Sequence, residues 1–311
     1  MKNLLRSLIA RNYFLLSLFI KIRSILKPDK NETGGTVDAD YCYSLFLRTF
    51  NYSKITNKNK IPQYVLEVGC GDSNVVALLW LLVGAKKVVS IDAYEYLNKN
   101  KILKVFEKAS KILIDKSFCQ LGLNPKLNID VYENLWKSID SREKLLSRRE
   151  MIINEIKRFI NNEKVTLFSY NPNYTIKTKF NFKFNLIFSQ AVFEHVRDPE
   201  KVFNFLHKNL DKKGIIYTSI DFKSHGVSTL KNGHYLLTEN QYNKISSPFV
   251  FRYINRLPPS WFRKLLNKKY CLISEKKVIT KSYIKLNQVP IPNITEEDLL
   301  VTSSVFITSN N

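Results

Sequence analysis

Two hydrophobic periods alternate along this chain. Tyr64-Val65-Leu66-Glu67-Val68 is a short, nearly continuous apolar run and predicts a buried strand. It ends in Gly69-Cys70-Gly71. Residues 74–83 (NVVALLWLLV) then predict a mostly buried helix closed by Gly84, and Lys87 to Ile91 predicts a second strand ending at Asp92. Strand, turn, helix and strand have about the length of a parallel crossover. Further on, Val165 to Phe168, Phe184 to Phe188 and Ile215 to Ile220 predict three more strands. A helix over 199–210 stands between the last two, with Asp198 as cap and Pro199 at its first position.

Between these elements the pattern changes. Residues 97–163 are long, charged and helical in period with no strand signal, so they predict a helical insertion. Residues 221–258 read as irregular, 259–267 as a helix, and Cys271 to Thr308 as two strands around a Pro-rich turn that would finish the sheet antiparallel. Ahead of the core, 39–50 reads as helical. The polar stretches Asp29 to Asp38, with Gly34-Gly35, and Asn51 to Lys60 read as linker. The organisation expected is an N-terminal basic apolar helix (1–28), a linker and lead-in helix (29–60), and one domain over 61–311. The fold class is α/β, a doubly wound and mostly parallel sheet.

Charge qualifies this picture. The 311 residues carry 49 Lys and Arg against 27 Asp and Glu, a net +22, which suits an anionic partner such as a membrane surface or a nucleic acid. No run of five or six basic residues concentrates that charge, and patches mark nucleic-acid sites, so nucleic acid is the weaker expectation. Tyr13 to Ile20 is apolar except for Ser17 and is flanked by Arg6 and Arg11 before and Lys21, Arg23 and Lys27 after. Eight residues fall short of the roughly 20 that span a bilayer, and no small-residue cleavage site follows. The segment reads either as a helix packed on the domain or as a peripheral contact with an anionic membrane. The four cysteines form no C-x-x-C pair, so neither a zinc site nor a disulfide framework is suggested; the reducing cytoplasm fits best, with the inner membrane surface as a peripheral location.

The candidate chemistry gathers at the first turn. A strand running into a glycine turn and then a helix is a nucleotide cradle. Here the spacing is Glu67-x-Gly69-x-Gly71-x-Ser73, and Asn74 stands where a dinucleotide fingerprint wants its third glycine, which counts against a dehydrogenase. An acid two residues before the first glycine suits a cationic ligand. Asp92, 21 residues past Gly71, can accept two ribose hydroxyls.

The neighbours of this turn extend the match. LEVGCGDS, then SIDAY, then FNLIFSQAVFEHVRDPEKVFNFLHKNLDKKGIIYTSID resemble the successive motifs of class I S-adenosylmethionine-dependent methyltransferases. Phe193-Glu194-His195 and Asp198-Pro199 carry the most specific part, over a core of 61–220. A looser likeness through Ile220-Asp221-x-x-x-His225 and Asn255-Arg256-Leu257 resembles a bacterial small-molecule and polysaccharide-modifying subset. The resemblance implies a Rossmann-like methyltransferase fold and S-adenosylmethionine as cofactor. It places Glu67, Gly69, Cys70, Gly71, Asp92, Ala93, Ser189 and Gln190 against that cofactor. Ser73 replaces a third glycine, and Tyr170 stands in place of an acid after the third strand.

Methyl transfer to a hydroxyl needs alignment and removal of one proton. His225, with Asp221 to fix its tautomer, is the expected base; His195 is the alternative, or else a structural histidine. His234 and Arg256 are candidates for substrate binding, with a solvated loop charge as the other reading of Arg256. Asn171-Pro172-Asn173-Tyr174 resembles the N-P-P-Y loop of amino-methylating enzymes but lies after the wrong strand. No H-x-x-x-H or paired-carboxylate spacing indicates a metal, and none is expected. The function expected is O-methylation of a small molecule or glycan precursor, with 97–163 and 221–258 forming the acceptor pocket. The competing readings are an RNA methyltransferase and a non-catalytic protein on a degenerate methyltransferase fold.

Overall fold

The computed structural model describes residues 9, 12, 14, 15, 18, 35–52, 61–117, 129–245 and 253–310. Seven strands hydrogen-bond in the order β3-β2-β1-β4-β5-β7-β6. They are β1 (Tyr64–Val68), β2 (Lys87–Ile91), β3 (Phe168–Asn171), β4 (Phe184–Gln190), β5 (Leu210–Asp221), β6 (Cys271–Ile279) and β7 (Val301–Ser309). β1 pairs in parallel with β2 and β4, and β2 in parallel with β3. The order reverses at β1 and β4, so the chain after β1 opens at a switch point, where open α/β sheets bind ligands. This is the doubly wound sheet expected of the sequence.

The chain divides into two compact units. One comprises Glu32–Gln190, Lys201–Thr218 and Ile307–Asn311; the other comprises Met1–Asn31, Ala191–Glu200 and Ser219–Phe306. For brevity these are the cradle unit and the loop unit.

In the cradle unit, α1 (Ala39–Tyr52) leads into β1, and α2 (Val75–Val83) connects β1 to β2. All nine residues of α2 are buried, as its unbroken apolar run requires. Trp80 sits edge-on to Phe46 of α1, ring centroids 5.0 Å apart. The insertion between β2 and β3 is helical as its period predicts: α3 (Lys99–Ile114), α4 (Ile129–Ser138) and α5 (Arg142–Ile160). α3 and α5 pack on each other and on α2, so their apolar faces complete this helical layer. Asn98 caps α3 by accepting the Asn100 N–H, and Ser141 caps α5 by accepting that of Lys144. α6 (Pro199–Asn209) begins at the proline that the sequence places at its first position.

The loop unit holds α7 (Glu239–Ile245), α8 (Pro259–Lys269), α9 (Glu296–Leu300) and two short 3-10 turns that matter below, Phe193–His195 and Gly233–Leu236. Val227, Leu237, Tyr242, Ile245 and Ile254 form one core cluster, against which Ile9 packs. Asp298 organises its α8–α9 corner, accepting the Ser260 N–H at 2.9 Å and the Thr295 hydroxyl at 2.7 Å.

Several boundaries depart from the sequence reading. The third strand lies three residues later than Val165 to Phe168, because Phe168 is its only buried residue and an edge strand shows little apolar pattern. β5 begins at Leu210 rather than Ile215, its early residues being polar and partly exposed. The stretch 221–258, expected to be irregular, contains α7 and a 3-10 turn. The N-terminal helix of 1–28 falls almost wholly outside the described residues. Among the described residues no helix is long and apolar enough to cross a membrane.

Candidate functional site

The turn after β1 is built by backbone conformation and two acids. Gly69 and Gly71 adopt φ of 74° and 63°, in the left-handed region that glycine enters without steric cost. The Gly69 N–H donates to the Ile91 carbonyl at 2.8 Å, and the Gly71 N–H donates to Asp92 Oδ2 at 3.1 Å. Asp92 Oδ1 accepts the Tyr94 N–H at 3.3 Å. Asp92 is itself held by its own main chain, its N–H on the Asn171 carbonyl at 3.2 Å and its carbonyl under the Tyr174 N–H at 3.1 Å. The Asn171-Pro172-Asn173-Tyr174 segment therefore clamps the end of β2.

Glu67 lies inside the sheet. It is 3% exposed and its Oε2 accepts the Ser90 hydroxyl at 2.9 Å from the neighbouring strand. Burial pushes its carboxyl up to about 8, against the opposing effect of the Ser90 bond and with a further rise from Asp92. Burial also raises Asp92, opposed by the N–H groups of Gly71, Tyr94 and Ala93. Two carboxyls that ionise reluctantly flank one turn, and a cation placed there stabilises their charged forms.

Thr36, which the sequence reading assigned to a polar linker, closes the turn from the other side. Its hydroxyl donates to the Cys70 carbonyl at 3.0 Å and accepts the Ser73 N–H at 3.0 Å, while the Ser73 hydroxyl donates to the Thr36 carbonyl. Nothing in a polar stretch of isolated threonine marks this role in the sequence.

The second constellation belongs to the loop unit. Glu194 and His195 form the 3-10 turn after β4, and His225 follows β5. Glu194 is 3% exposed, and neither carboxylate oxygen has a hydrogen-bond partner. Burial holds its carboxyl well above the usual range; the backbone N–H groups of Glu194 and Asp221 oppose this, and repulsion from Asp221 adds to it. His225 Nε2 stands 3.9 Å from Glu194 Oε1, and the His195 and His225 rings meet edge-on with centroids 4.9 Å apart. His195 Nδ1 lies 2.7 Å from the Tyr253 carbonyl, which fixes the proton on Nδ1 and leaves Nε2 as a lone pair. His195 is at the surface of the loop unit yet packed closely enough that desolvation lowers its pKa, partly offset by the Tyr253 carbonyl. Burial also lowers His225, opposed by Asp221 and reinforced by His195.

A family model described as a methyltransferase domain matches residues 40–265. The chain belongs to this methyltransferase family. It is accordingly an S-adenosylmethionine-dependent methyltransferase of class I, and S-adenosylmethionine is its cofactor. No curated protein sequence matches it. Among solved structures it is similar to a Listeria monocytogenes protein assigned as an S-adenosylmethionine dependent methyltransferase, at 11% identity and TM-score 0.43 over 87% of this chain and 98% of that one. It is also similar to the N-methyltransferase NodS of Bradyrhizobium japonicum in complex with S-adenosyl-l-homocysteine, at 10% identity and TM-score 0.40 over 86% and 85%. A third is the PH0226 protein of Pyrococcus horikoshii, at 12% and 0.43 over 86% and 91%.

The cradle residues of this methyltransferase fit a ligand that is cationic at one end and carries a ribose. The reluctant acids supply the charge, and the buried Ser189 hydroxyl and Asn74 amide have no partner of their own. Of the other residues expected at the cofactor, Cys70 is buried within the turn and Ala93 is exposed just past β2. Gln190 ends β4, with its Oε1 3.5 Å from the Tyr217 hydroxyl.

The methyltransferase's expected substrate and base residues are placed differently from one another. Arg256 donates to the carbonyls of Leu237 and His234 and to Glu239, and its guanidinium lies 4.6 Å from the Tyr242 ring centroid. His234 is 1% exposed and pairs through Nδ1 with the Ser224 hydroxyl at 3.2 Å. Both are engaged inside their own unit. Asp221 accepts the Lys223 ammonium at 2.6 Å and stands 3.9 Å from His225, beyond hydrogen-bond reach. Glu194 Oε1 lies at the same 3.9 Å from His225 Nε2, so this nitrogen faces two carboxylates; Glu194 is named in the motif but is not among the expected base residues.

Proposed function

We propose that this methyltransferase transfers a methyl group to a hydroxyl oxygen of a small molecule or glycan precursor. The observation that carries this reading is the pair of imidazoles at His195 and His225. Desolvation keeps both neutral near pH 7, and His195 Nε2 presents a free lone pair. A hydroxyl is a poor nucleophile until its proton leaves, whereas an amine needs no such help.

The cofactor supplies a methyl group already activated by a sulfonium. The chain's own residues do the rest. Asp92, and Glu67 once a bound cation favours its ionised form, set a negative field at the glycine turn. Asp92 accepts ribose hydroxyls through the lone pairs not engaged by Gly71 and Tyr94. Gly69 and Gly71 let the main chain approach closely. In the loop unit an imidazole nitrogen would take the proton of an acceptor hydroxyl. The two sets of residues follow one another along the chain, Gln190 ending one and Ala191 opening the other. The net +22 is spread along the sequence and supports a peripheral anionic contact as a secondary role.

Incubation with methyl-tritiated S-adenosylmethionine and a panel of hydroxylated small molecules, sugars and nucleotide sugars tests the reading. Label in an alkali-stable methyl ether supports it. Label confined to amines or to RNA refutes it.

A further inference from the structure

The Glu194–His195–His225 cluster has the composition and the internal disposition of a metal site. One ligand atom from each residue lies within 4.8 Å of the other two. We infer that Glu194, His195 and His225 bind a divalent first-row transition cation, on which the acceptor hydroxyl is held. The identification of the acceptor as a hydroxyl rests on the proposed function; the binding of the cation does not.

The first argument is the unpartnered carboxylate. Glu194 is enclosed, yet neither of its oxygens makes a hydrogen bond of ordinary geometry, the N–H groups of Glu194 and Asp221 being its polar neighbours, and His225 Nε2 that faces it makes none either. A buried carboxylate without a partner is costly, and retained examples usually coordinate a metal or meet a counter-charge. Here the Lys223 ammonium, whose field acts to lower the Glu194 pKa, is engaged by Asp221 at 2.6 Å.

A second argument is independent of burial. His195 donates Nδ1–H to a backbone carbonyl 2.7 Å away. That is the outer-sphere bond that orients metal-binding histidines and points the other nitrogen at the ion.

The donor set selects the ion class. Two imidazoles and one carboxylate on one side of a site suit zinc, iron, cobalt or manganese and leave coordination positions open. Bond lengths of about 2.0–2.2 Å bring such ligand atoms closer together than the 3.9 Å between Glu194 and His225 and the 4.8 Å that bounds all three, so side-chain rotation has to draw the set together on binding. The ligands come from two loops 30 residues apart, which is why no local spacing in the sequence marks them.

A bound cation changes how the proton is removed. The acceptor hydroxyl coordinates an open position, its O–H bond weakens, and the proton passes to solvent. The alkoxide then forms its bond to the methyl carbon as the carbon–sulfur bond breaks, with that electron pair remaining on sulfur. No oxidant or reductant is needed.

The test uses the full-length protein, untagged and stripped with chelator. Cobalt(II) added to it should bind one equivalent and develop visible d–d absorption. Addition of zinc should raise the melting temperature by several degrees, reversed by chelator. His195→Ala, His225→Ala and Glu194→Gln should each weaken cobalt binding by at least about tenfold, while S-adenosylhomocysteine affinity, measured by calorimetry, stays unchanged and reports the fold. Cobalt binding that is absent, or equal in wild type and the His195→Ala/His225→Ala double variant, overturns the inference. So does a wild-type melting temperature indifferent to zinc and cobalt, which needs no variant to fold. Stoichiometric metal without any methylated hydroxyl refutes the acceptor reading alone, and hydroxyl methylation that persists in chelator without metal binding refutes the metal alone.

Discussion

Asp92 Oδ2 accepts the backbone N–H of Gly71 at 3.1 Å, tying the end of β2 to the turn that follows β1. The acid expected to hold the ribose is therefore also a strut of the glycine turn. Its removal has two effects, loss of an acceptor for the ligand and loosening of Gly71. Asp92→Ala should weaken S-adenosylhomocysteine binding by about 1–3 kcal/mol. Asp92→Asn keeps an oxygen for the Gly71 N–H and should recover part of the loss. Calorimetry on both variants separates the two effects, and unchanged affinity in Asp92→Ala places the ribose elsewhere.

Glu67 makes a pH prediction with a definite sign. Its folded pKa is pushed up to about 8 from an ordinary value of 4.5. Between those values the folded state holds a proton that the unfolded state has lost. Its contribution to stability is therefore fully present below about pH 4.5 and is lost as pH rises through 8, with a slope of at most about 1.4 kcal/mol per pH unit. Glu67→Gln keeps an acceptor for Ser90 and has no proton to lose. The difference in unfolding free energy between wild type and Glu67→Gln should shift against wild type from pH 5 to pH 8 in urea titrations. Parallel curves contradict the burial of an ionisable Glu67.

Thr36 carries both a donor and an acceptor to the turn. Thr36→Val preserves its shape and removes both hydrogen bonds. It should cost about 1–2 kcal/mol of stability and raise the dissociation constant for S-adenosylhomocysteine. Thr36→Ser should restore both. A valine variant indistinguishable from wild type in melting and in affinity shows that the turn stands without the clasp.

His225 and His195 share one cluster, and their variants separate turnover from cofactor binding. Each alanine variant should lower turnover by about 10²–10⁴-fold with S-adenosylhomocysteine affinity intact, in single-turnover assays once an acceptor is found. Near-normal turnover in both variants would mean that alignment alone carries the reaction.

The fold was legible where burial was greatest. β1 and β2 match the sequence reading residue for residue, because four of five residues in each are buried and the run is apolar on both faces. β3, with Ser, Tyr and Asn following one buried Phe, left almost no pattern to read. The glycine turn was legible because its glycines and acids are close in sequence or end a clear strand. Thr36 and the approach of Glu194 to His225 were not, since each joins residues 31 to 37 positions apart whose types are common in loops. His234 and Arg256, singled out for their chemistry, are engaged by neighbouring carbonyls and hydroxyls that no linear motif displays.

The central claim is that the left-handed glycine turn between two acids is the cofactor site. Calorimetric titration of S-adenosylhomocysteine into wild type and into Gly71→Ala tests it most directly. A β-carbon at φ 63° strains the turn and displaces the N–H that Asp92 holds. The account predicts one site per chain in wild type and an affinity at least about tenfold weaker in Gly71→Ala, with the melting transition still cooperative. No binding to wild type, or wild-type affinity in Gly71→Ala, would contradict it.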